Sequence, residues 1–298
     1  MVLAAAEIIL MISMVLLVVA FFSLYERQVL SYSQSRKGPN KVALGGLAQP
    51  LADAMKLVSK NTQEPIHFGS FSFNASPLMF LFLVLLVWPS APIVFMPPHW
   101  GFSGLWVVLV LSMSVYGTLV VGWVSVSKYA ILGSMRSVAQ SISYEIVLTT
   151  SLFSLFLFMG SLSISGFRPM QSPVWFIFTV FPLFIIVTLC LLAEGGRSPF
   201  DLAEGESEIV SGYSVEYGGV QYTCLFLSEN ISLVFSACLI NSLFMGELAS
   251  LKMTAILTGL VAVRATLPRM RYDAVMECCW LMILPLALLF MFLITVMV

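Results

Sequence analysis

Acidic residues are scarce in this chain, and where they crowd together they carry the first chemical content. Between positions 194 and 216 stand Glu194, Asp201, Glu204, Glu206, Glu208 and Glu216, faced by the single base Arg197. Ser198-Pro199-Phe200-Asp201 reads as a helix start, with Ser as cap, Pro in the first turn and Asp reaching back. On that helix Asp201, Glu204 and Glu208 share one face. Neighbouring carboxylates about 6 Å apart, at an effective dielectric near 20, repel by roughly 2.8 kcal/mol, about two pKa units. Such a cluster shares protons, binds a cation or stands in open water. Phe200, Leu202, Ile209 and Val210 interrupt the acids, which favours proton sharing over open water. Divalent metal binding stays open, although no D-x-D-x-D-G spacing supports it.

Two further acids sit against apolar sequence. Glu229 lies inside an apolar run, where one ionisable group costs on the order of 3 kcal/mol. Stability does not explain it, so a proton-carrying role is the expectation. Glu145 closes a polar stretch holding Arg136, Gln140 and Tyr144. It reads either as a helix N-terminal carboxylate favoured by the dipole or as a proton-path acid. The bases gather elsewhere. Tyr25-Glu26-Arg27 is followed by Arg36-Lys37-Gly38-Pro39-Asn40-Lys41, whose Gly-Pro-Asn reads as a tight turn. Leu47, Leu51, Met55 and Val58 then recur at helical spacing with Gln49, Asp53, Lys56 and Lys60 between them. That is an amphipathic helix in a membrane interface, serving either as an anchor or as the gated mouth for an amphipathic, lipid-soluble substrate. Arg264, Arg269 and Arg271 are placed to anchor lipid phosphate or to pair with the acidic loop.

These groups need elements to hold them, and composition says which. Apolar residues make up 59% of the 298-residue chain and charged residues only 10%. A soluble domain carries roughly a quarter charged residues, so this chain's solvent is lipid. Apolar runs long enough to cross a bilayer fall at about 1–24, 77–96, 104–126, 146–166, 174–193, 222–244, 250–266 and 280–298. The expected fold is therefore an all-α polytopic membrane protein of eight transmembrane helices. An interfacial amphipathic helix and structured inner loops at 25–76, 127–145, 194–221 and 267–279 complete it. No basic residue precedes Arg27, so the first span does not read as a cleaved targeting peptide. Nearly every Lys and Arg falls on the side of those four loops, and only Arg168 and Lys252 oppose them. By the positive-inside rule both termini then lie outside.

Several functions are excluded. The net charge of −1 names no nucleic-acid partner. Cys190, Cys224, Cys238 and the adjacent Cys278 and Cys279 lack the C-x-x-C spacing of zinc or iron–sulfur sites. His67 and His99 fall in loop-like segments and offer no axial haem ligands. No phosphate-binding or dinucleotide glycine motif occurs.

Taken together, these loops resemble one family. Beyond the stretches already quoted, they hold Gln49-Pro50, Gly133 to Glu145, Pro199-Phe200-Asp201, Ala203-Glu204-Gly205-Glu206-Ser207-Glu208 and Glu216-Tyr217. Arg264-Ala265, Pro268-Arg269 and Arg271-Tyr272-Asp273 follow in order. The chain resembles the chain 1 family of NADH:ubiquinone oxidoreductase, the quinone-chamber core subunits of mitochondrial-type respiratory complex I. The resemblance covers essentially the whole chain. It implies a subunit at the heel of an L-shaped assembly, forming most of a tunnel by which ubiquinone, the substrate, enters from the bilayer. It implies no cofactor bound by this chain, with FMN and iron–sulfur clusters held in partner subunits. Glu26, Arg27, Arg36, Asp53, Arg264 and Arg269 would line or gate the tunnel. Glu145, Glu194, Asp201, Glu204, Glu206, Glu208, Glu216 and Glu229 would begin an acidic proton path, supported by Arg136, Arg197, Arg271 and Tyr144.

Implied partners are the peripheral-arm subunits, antiporter-like and small membrane-arm subunits, and lipid. The implied location is the mitochondrial inner membrane, with long loops on the matrix side and termini facing the intermembrane space. Two positions depart from the family pattern. Gly195-Gly196 replaces an expected Thr-Asn and loosens the segment before Arg197, and Asn230 replaces an expected aromatic. Two other readings remain. One is the membrane subunit of a related hydrogenase-type complex, with a different electron partner. The other is a standalone cation–proton antiporter, which predicts transport by the purified chain alone and lacks an internal repeat.

Overall fold

The computed structural model describes residues 2–61, 70–91, 101–202, 212–246 and 250–297, and among these it is helical with no strand. In chain order the helices are α1 (Val2–Ser33), α2 (Gln49–Val58), α3 (Ser70–Leu85), α4 (Ser103–Val124) and α5 (Lys128–Met159). Two short turns follow, α6 (Phe167–Met170) and α7 (Phe176–Thr179), and then α8 (Phe181–Glu194). The last are α9 (Gly219–Phe244), α10 (Ser250–Thr266), α11 (Tyr272–Glu277) and α12 (Leu284–Met297). A π-helical stretch, Cys278–Ile283, joins α11 to α12. Among the described residues six segments are long and apolar enough to cross a membrane: Glu7–Ser33, Phe71–Ser90, Ser103–Val124, Lys128–Met159, Gly219–Phe244 and Tyr272–Met297. The eight apolar runs thus yield six helices of spanning length and two shorter ones, α8 and α10.

Helical backbone does not stop where apolar character stops. The stretch 127–145, expected as an inner loop, is the first half of α5. Ser127 caps it by accepting from the Ala130 amide at 3.3 Å, and Gly160 at φ +66 ends it. Glu145 therefore lies midway along a helix, and the reading of it as an N-terminal carboxylate is overturned. Likewise α1 continues past residue 24, so Glu26 and Arg27 ride on helix rather than loop. The run 174–193 is broken at Val180, which leaves helical geometry before Pro182 starts α8.

The core is layered around α5 and α9. α5 packs against α4, α8 and α12, while α9 packs against α3, α1 and α10. Val147, Leu155, Leu183, Val187, Ile231 and Leu243 are fully buried between these helices. Close approach requires small residues at the crossings. A Cβ at Gly122 of α4 would overlap Ser134 of α5. In the first inner loop, Gly46 at φ +83 lies against the Pro39 carbonyl, so the Gly38-Pro39-Asn40 turn folds back onto a position only glycine fills.

Candidate functional site

The third inner loop is held by α5 and by the segment before α11 as well as by its own turns. α8 ends at Glu194, and the chain reverses through Gly195 and Gly196, the latter at φ +57. Gln140, 3% exposed on α5, donates its Nε2 hydrogens to the Ala193 and Phe200 carbonyls, each at 2.8 Å. From the opposite side the Met270 amide donates to the Pro199 carbonyl at 3.0 Å. The Phe200 ring is buried beside Tyr144, with centroids 5.8 Å apart. The helix start expected at Ser198 is not formed: Asp201 and Leu202 are non-helical. The carbonyls of Pro199 and Phe200, which a helix would use internally, are taken by these tertiary donors. The shared face of Asp201, Glu204 and Glu208 goes with it as far as Asp201 is concerned. Glu204, Glu206 and Glu208 lie outside the described residues, as do His67 and His99.

This pinned turn forms one wall of a cavity of about 100 Å³ bounded by α3, α4, α5 and α9. Glu194, Arg197, Asp201 and Glu229 line it. Ser114, Thr118, Ser137, Ser141, Ser232 and Ser236 bring hydroxyls to a lining that is otherwise mostly apolar, with Phe80, Val84, Leu111 and Phe235. A water needs roughly 10–15 Å³ of such space, so several fit among these polar groups. Arg197 approaches Glu229 at 3.8 Å and donates from Nη2 to Asn230 Oδ1 at 2.9 Å. Tyr213 donates its hydroxyl to Glu229 Oε1. Glu194 forms no ion pair among the described residues. It follows the apolar run that ends at Ala193, and burial, then the charge of Glu145, push its carboxyl up to about 8. Carboxyls, hydroxyls and water-sized space in contact can pass protons.

The remaining expected residues form a second, more exposed group. Arg264 of α10 pairs with Glu26 of α1, whose side chain is only 9% exposed. Arg27 pairs with Asp53 of α2 at 2.6 Å, and Gln49 donates to the same carboxylate at 3.0 Å. Arg36 is exposed and donates to Gln34 at 2.8 Å. Arg269 joins the groups by pairing with Asp201 at 2.8 Å. Glu216 is exposed and lines no part of the cavity. Its neighbour Tyr217 is buried, which pushes the phenol up against the lowering effect of Ser76. Tyr217 donates to the Val121 carbonyl at 2.9 Å. Tyr144 donates to the Val275 carbonyl at 3.1 Å. Arg136 and Glu145 are half-buried, and Arg271 makes an exposed pair with Asp273.

Sequence reasoning missed the work of three residues. Asn230, noted only as a departure, holds the Arg197 guanidinium, and its place directly after Glu229 was the available signal. Gln140 stands in a polar stretch that gave no sign of which carbonyls it would reach. Tyr213 gave none.

Comparison with known proteins adds a family. A family model described as NADH dehydrogenase matches residues 6–295. The chain is 41% identical over 288 residues to NADH-ubiquinone oxidoreductase chain 1 of Anopheles gambiae, covering 95% of this chain and 92% of that one. It is 43% identical over 279 residues to the protein of that name from Heterololigo bleekeri, covering 91% and 89%. The counterpart from Patiria pectinifera is 41% identical over 296 residues, covering 95% and 91%.

Proposed function

The chain belongs to the NADH dehydrogenase family, and from that premise we propose that it is the core membrane subunit of a proton-pumping NADH:ubiquinone oxidoreductase, respiratory complex I. It contributes no complete active site. NADH oxidation, FMN and the iron–sulfur clusters belong to partner subunits of the peripheral arm. This chain provides the access tunnel for ubiquinone and the first step by which quinone reduction reaches the membrane arm.

The tunnel group is Glu26, Arg27, Arg36, Asp53, Arg264 and Arg269. These residues bring α1, α2 and α10 together on one face, and the paired charges leave a polar rim beside exposed apolar residues of α2. Leu51, Met55 and Val58 are more than half exposed there. That pattern supports an amphipathic α2 lying in the interface, where an isoprenoid tail and its quinone head would part. α8 and α10 complete the eight crossings by snorkelling and by help from neighbouring helices. The termini face the intermembrane space and the long loops face the matrix of the mitochondrial inner membrane.

The coupling group is the lined cavity. A single observation carries this reading: Glu229 of α9 meets Glu194, Arg197 and Asp201, which come from the α8 end and the turn after it, around one cavity. Asp201 belongs to that space and also pairs with Arg269 of the tunnel group, so a charge change at the quinone has a contact through which to act. Reduction of the quinone creates negative charge and a demand for protons at the tunnel's inner end. Arg269 responds to that charge, Asp201 responds to Arg269, and Glu194 and Glu229 exchange protons through the cavity's hydroxyls and water. Glu145, Glu204, Glu206, Glu208 and Glu216 extend the path toward the antiporter-like subunits.

The test is to purify the assembly carrying Glu229→Gln and measure NADH-driven quinone reduction and proton uptake into vesicles. Quinone reduction with proton translocation strongly lowered is expected. Wild-type pumping in that variant would remove the cavity from the path. An Arg27→Ala, Asp53→Ala variant with an unaltered quinone KM would remove α2 from the tunnel.

A further inference from the structure

We infer that Gln140 is a positioning residue for the coupling site, holding the segment 193–200 in the one geometry that presents Glu194, Arg197 and Asp201 to the cavity. The inference rests on the reading of that cavity as the coupling site.

Met270, Asn230 and the burial of Phe200 hold the far half of the segment, but its glycine turn brings no side chain of its own. It contains adjacent glycines, one at φ +57, and a Cβ added at Gly196 would meet nothing within 4 Å. Two glycines without side-chain contacts leave the backbone many alternatives. Against this stands one buried amide. The two hydrogens on Gln140 Nε2 bridge Ala193, the last apolar residue of α8, and Phe200, on the far side of the reversal, each at 2.8 Å. Both ends of the segment are thus tied to a single nitrogen on α5, a helix that is itself capped by Ser127 and packed against α4, α8 and α12. No side chain lacking two donors on one atom can do this. Gln140 and Ser141 line the cavity themselves, so the clamp stands directly between the helix and the acids it positions. The charged groups facing this position are Glu194, Arg197 and Asp201 on the clamped segment and Glu229 on α9.

Losing both hydrogen bonds lowers the population of the held geometry by roughly 5- to 30-fold relative to open alternatives. The experiment uses the assembled complex with Gln140→Met, which keeps length and loses both donors, and Gln140→Glu, which regains one donor only when protonated. Electron transfer from NADH to a soluble artificial acceptor controls for assembly. Three readouts follow: deuterium uptake at the amides of 194–198, quinone reduction coupled to proton translocation, and the ratio of the two variants' coupled rates against pH.

The expected result is faster uptake and several-fold lower coupled turnover in Gln140→Met. Gln140→Glu should recover part of the loss as pH falls, since its protonated carboxyl donates one of the two bonds, while Gln140→Met recovers none. Because both variants share the same surrounding acids, the ratio isolates position 140. Adding Gly195→Ala to Gln140→Met should restore part of the rate. That residue has φ −69, and a Cβ there meets the Leu191 and Leu192 carbonyls at ordinary contact distance, so the change stiffens the segment without strain. Unchanged uptake and turnover in Gln140→Met, with Glu229→Gln still impaired, would overturn the positioning role alone. Normal pumping in Glu229→Gln would instead overturn the coupling reading on which it rests.

Discussion

The ion pair between Arg264 and Glu26 yields an asymmetric prediction. The two side chains are unequally buried, 35% exposed for the arginine and 9% for the glutamate. Removing one partner of a buried pair costs roughly 3–5 kcal/mol when the remaining charge has no access to water. Arg264→Leu leaves the Glu26 carboxylate in that position, so it should cost about 3 kcal/mol or more. Glu26→Gln leaves a guanidinium that still reaches solvent and can still donate to the amide oxygen, so about 1 kcal/mol is expected. The double variant removes both charges and should lie close to wild type rather than at the sum. At the usual scale for a chain of this size, the arginine variant loses on the order of 10 °C.

The chain carries its own reporter for that loss. Cys238 on α9 is 7% exposed, and its thiol faces Met253 of α10 at 3.9 Å. Cys190, fully buried on α8, reports the core. The assembled complex would be heated in mild detergent with an alkylating reagent, and each cysteine followed by mass spectrometry. In Arg264→Leu, Cys238 should react at lower temperature than Cys190, because α10 leaves first. Equal shifts in the two single variants, or a double variant as weak as their sum, would refute the argument from unequal burial.

Three further outcomes follow from the same geometry. Gly46→Ala should loosen the first inner loop by about 1–3 kcal/mol, since φ +83 strains any other residue and its Cβ would overlap the Pro39 carbonyl; limited proteolysis between residues 37 and 48 would detect it. Glu194 binds its proton more tightly in the folded chain, near 8 against an ordinary 4.5. The folded state therefore holds more protons in that interval, and stability should fall as pH rises from about 4.5 to about 8; Glu194→Gln should flatten this slope in thermal unfolding followed by Cys190 alkylation. Arg271→Ala should change stability by less than about 0.5 kcal/mol, because Arg271 and Asp273 are 82% and 64% exposed, and the same assay would register any larger shift.

Much of this arrangement is legible in the sequence, and the failures have physical causes. Apolar runs locate the helices because lipid tolerates no unsatisfied backbone, but they do not locate helix ends. Hydropathy reads side chains, while a helix persists as long as its amides are paired, which is how α5 reaches back to Lys128 through polar residues. Ser198-Pro199-Phe200-Asp201 carries a local helix-start pattern, yet Gln140 and Met270 claim the carbonyls that such a helix would need. Local preference of about 1 kcal/mol for a cap yields to several tertiary hydrogen bonds and the burial of Phe200. The acids announce themselves because charge in an apolar chain is expensive. Their partners do not: nothing in the local sequence ties Glu26 to Arg264, 238 positions away, or Tyr213 to Glu229.

The pairing pattern bears on which acid can act. Glu26, Asp53, Asp201 and Glu229 each have an arginine within ion-pair distance. A base held this close offsets the charge of its carboxylate. Glu229 is the loosest of the four, since Arg197 stands at 3.8 Å and divides its donors with Asn230. Glu194 has no such base among the described residues and shares its surroundings with the like charge of Glu145. It is therefore the acid of the cavity without a paired base, and burial beside Glu145 brings its proton exchange toward neutral pH. The cavity joins this carboxyl to two that have an arginine within reach, Asp201 and Glu229.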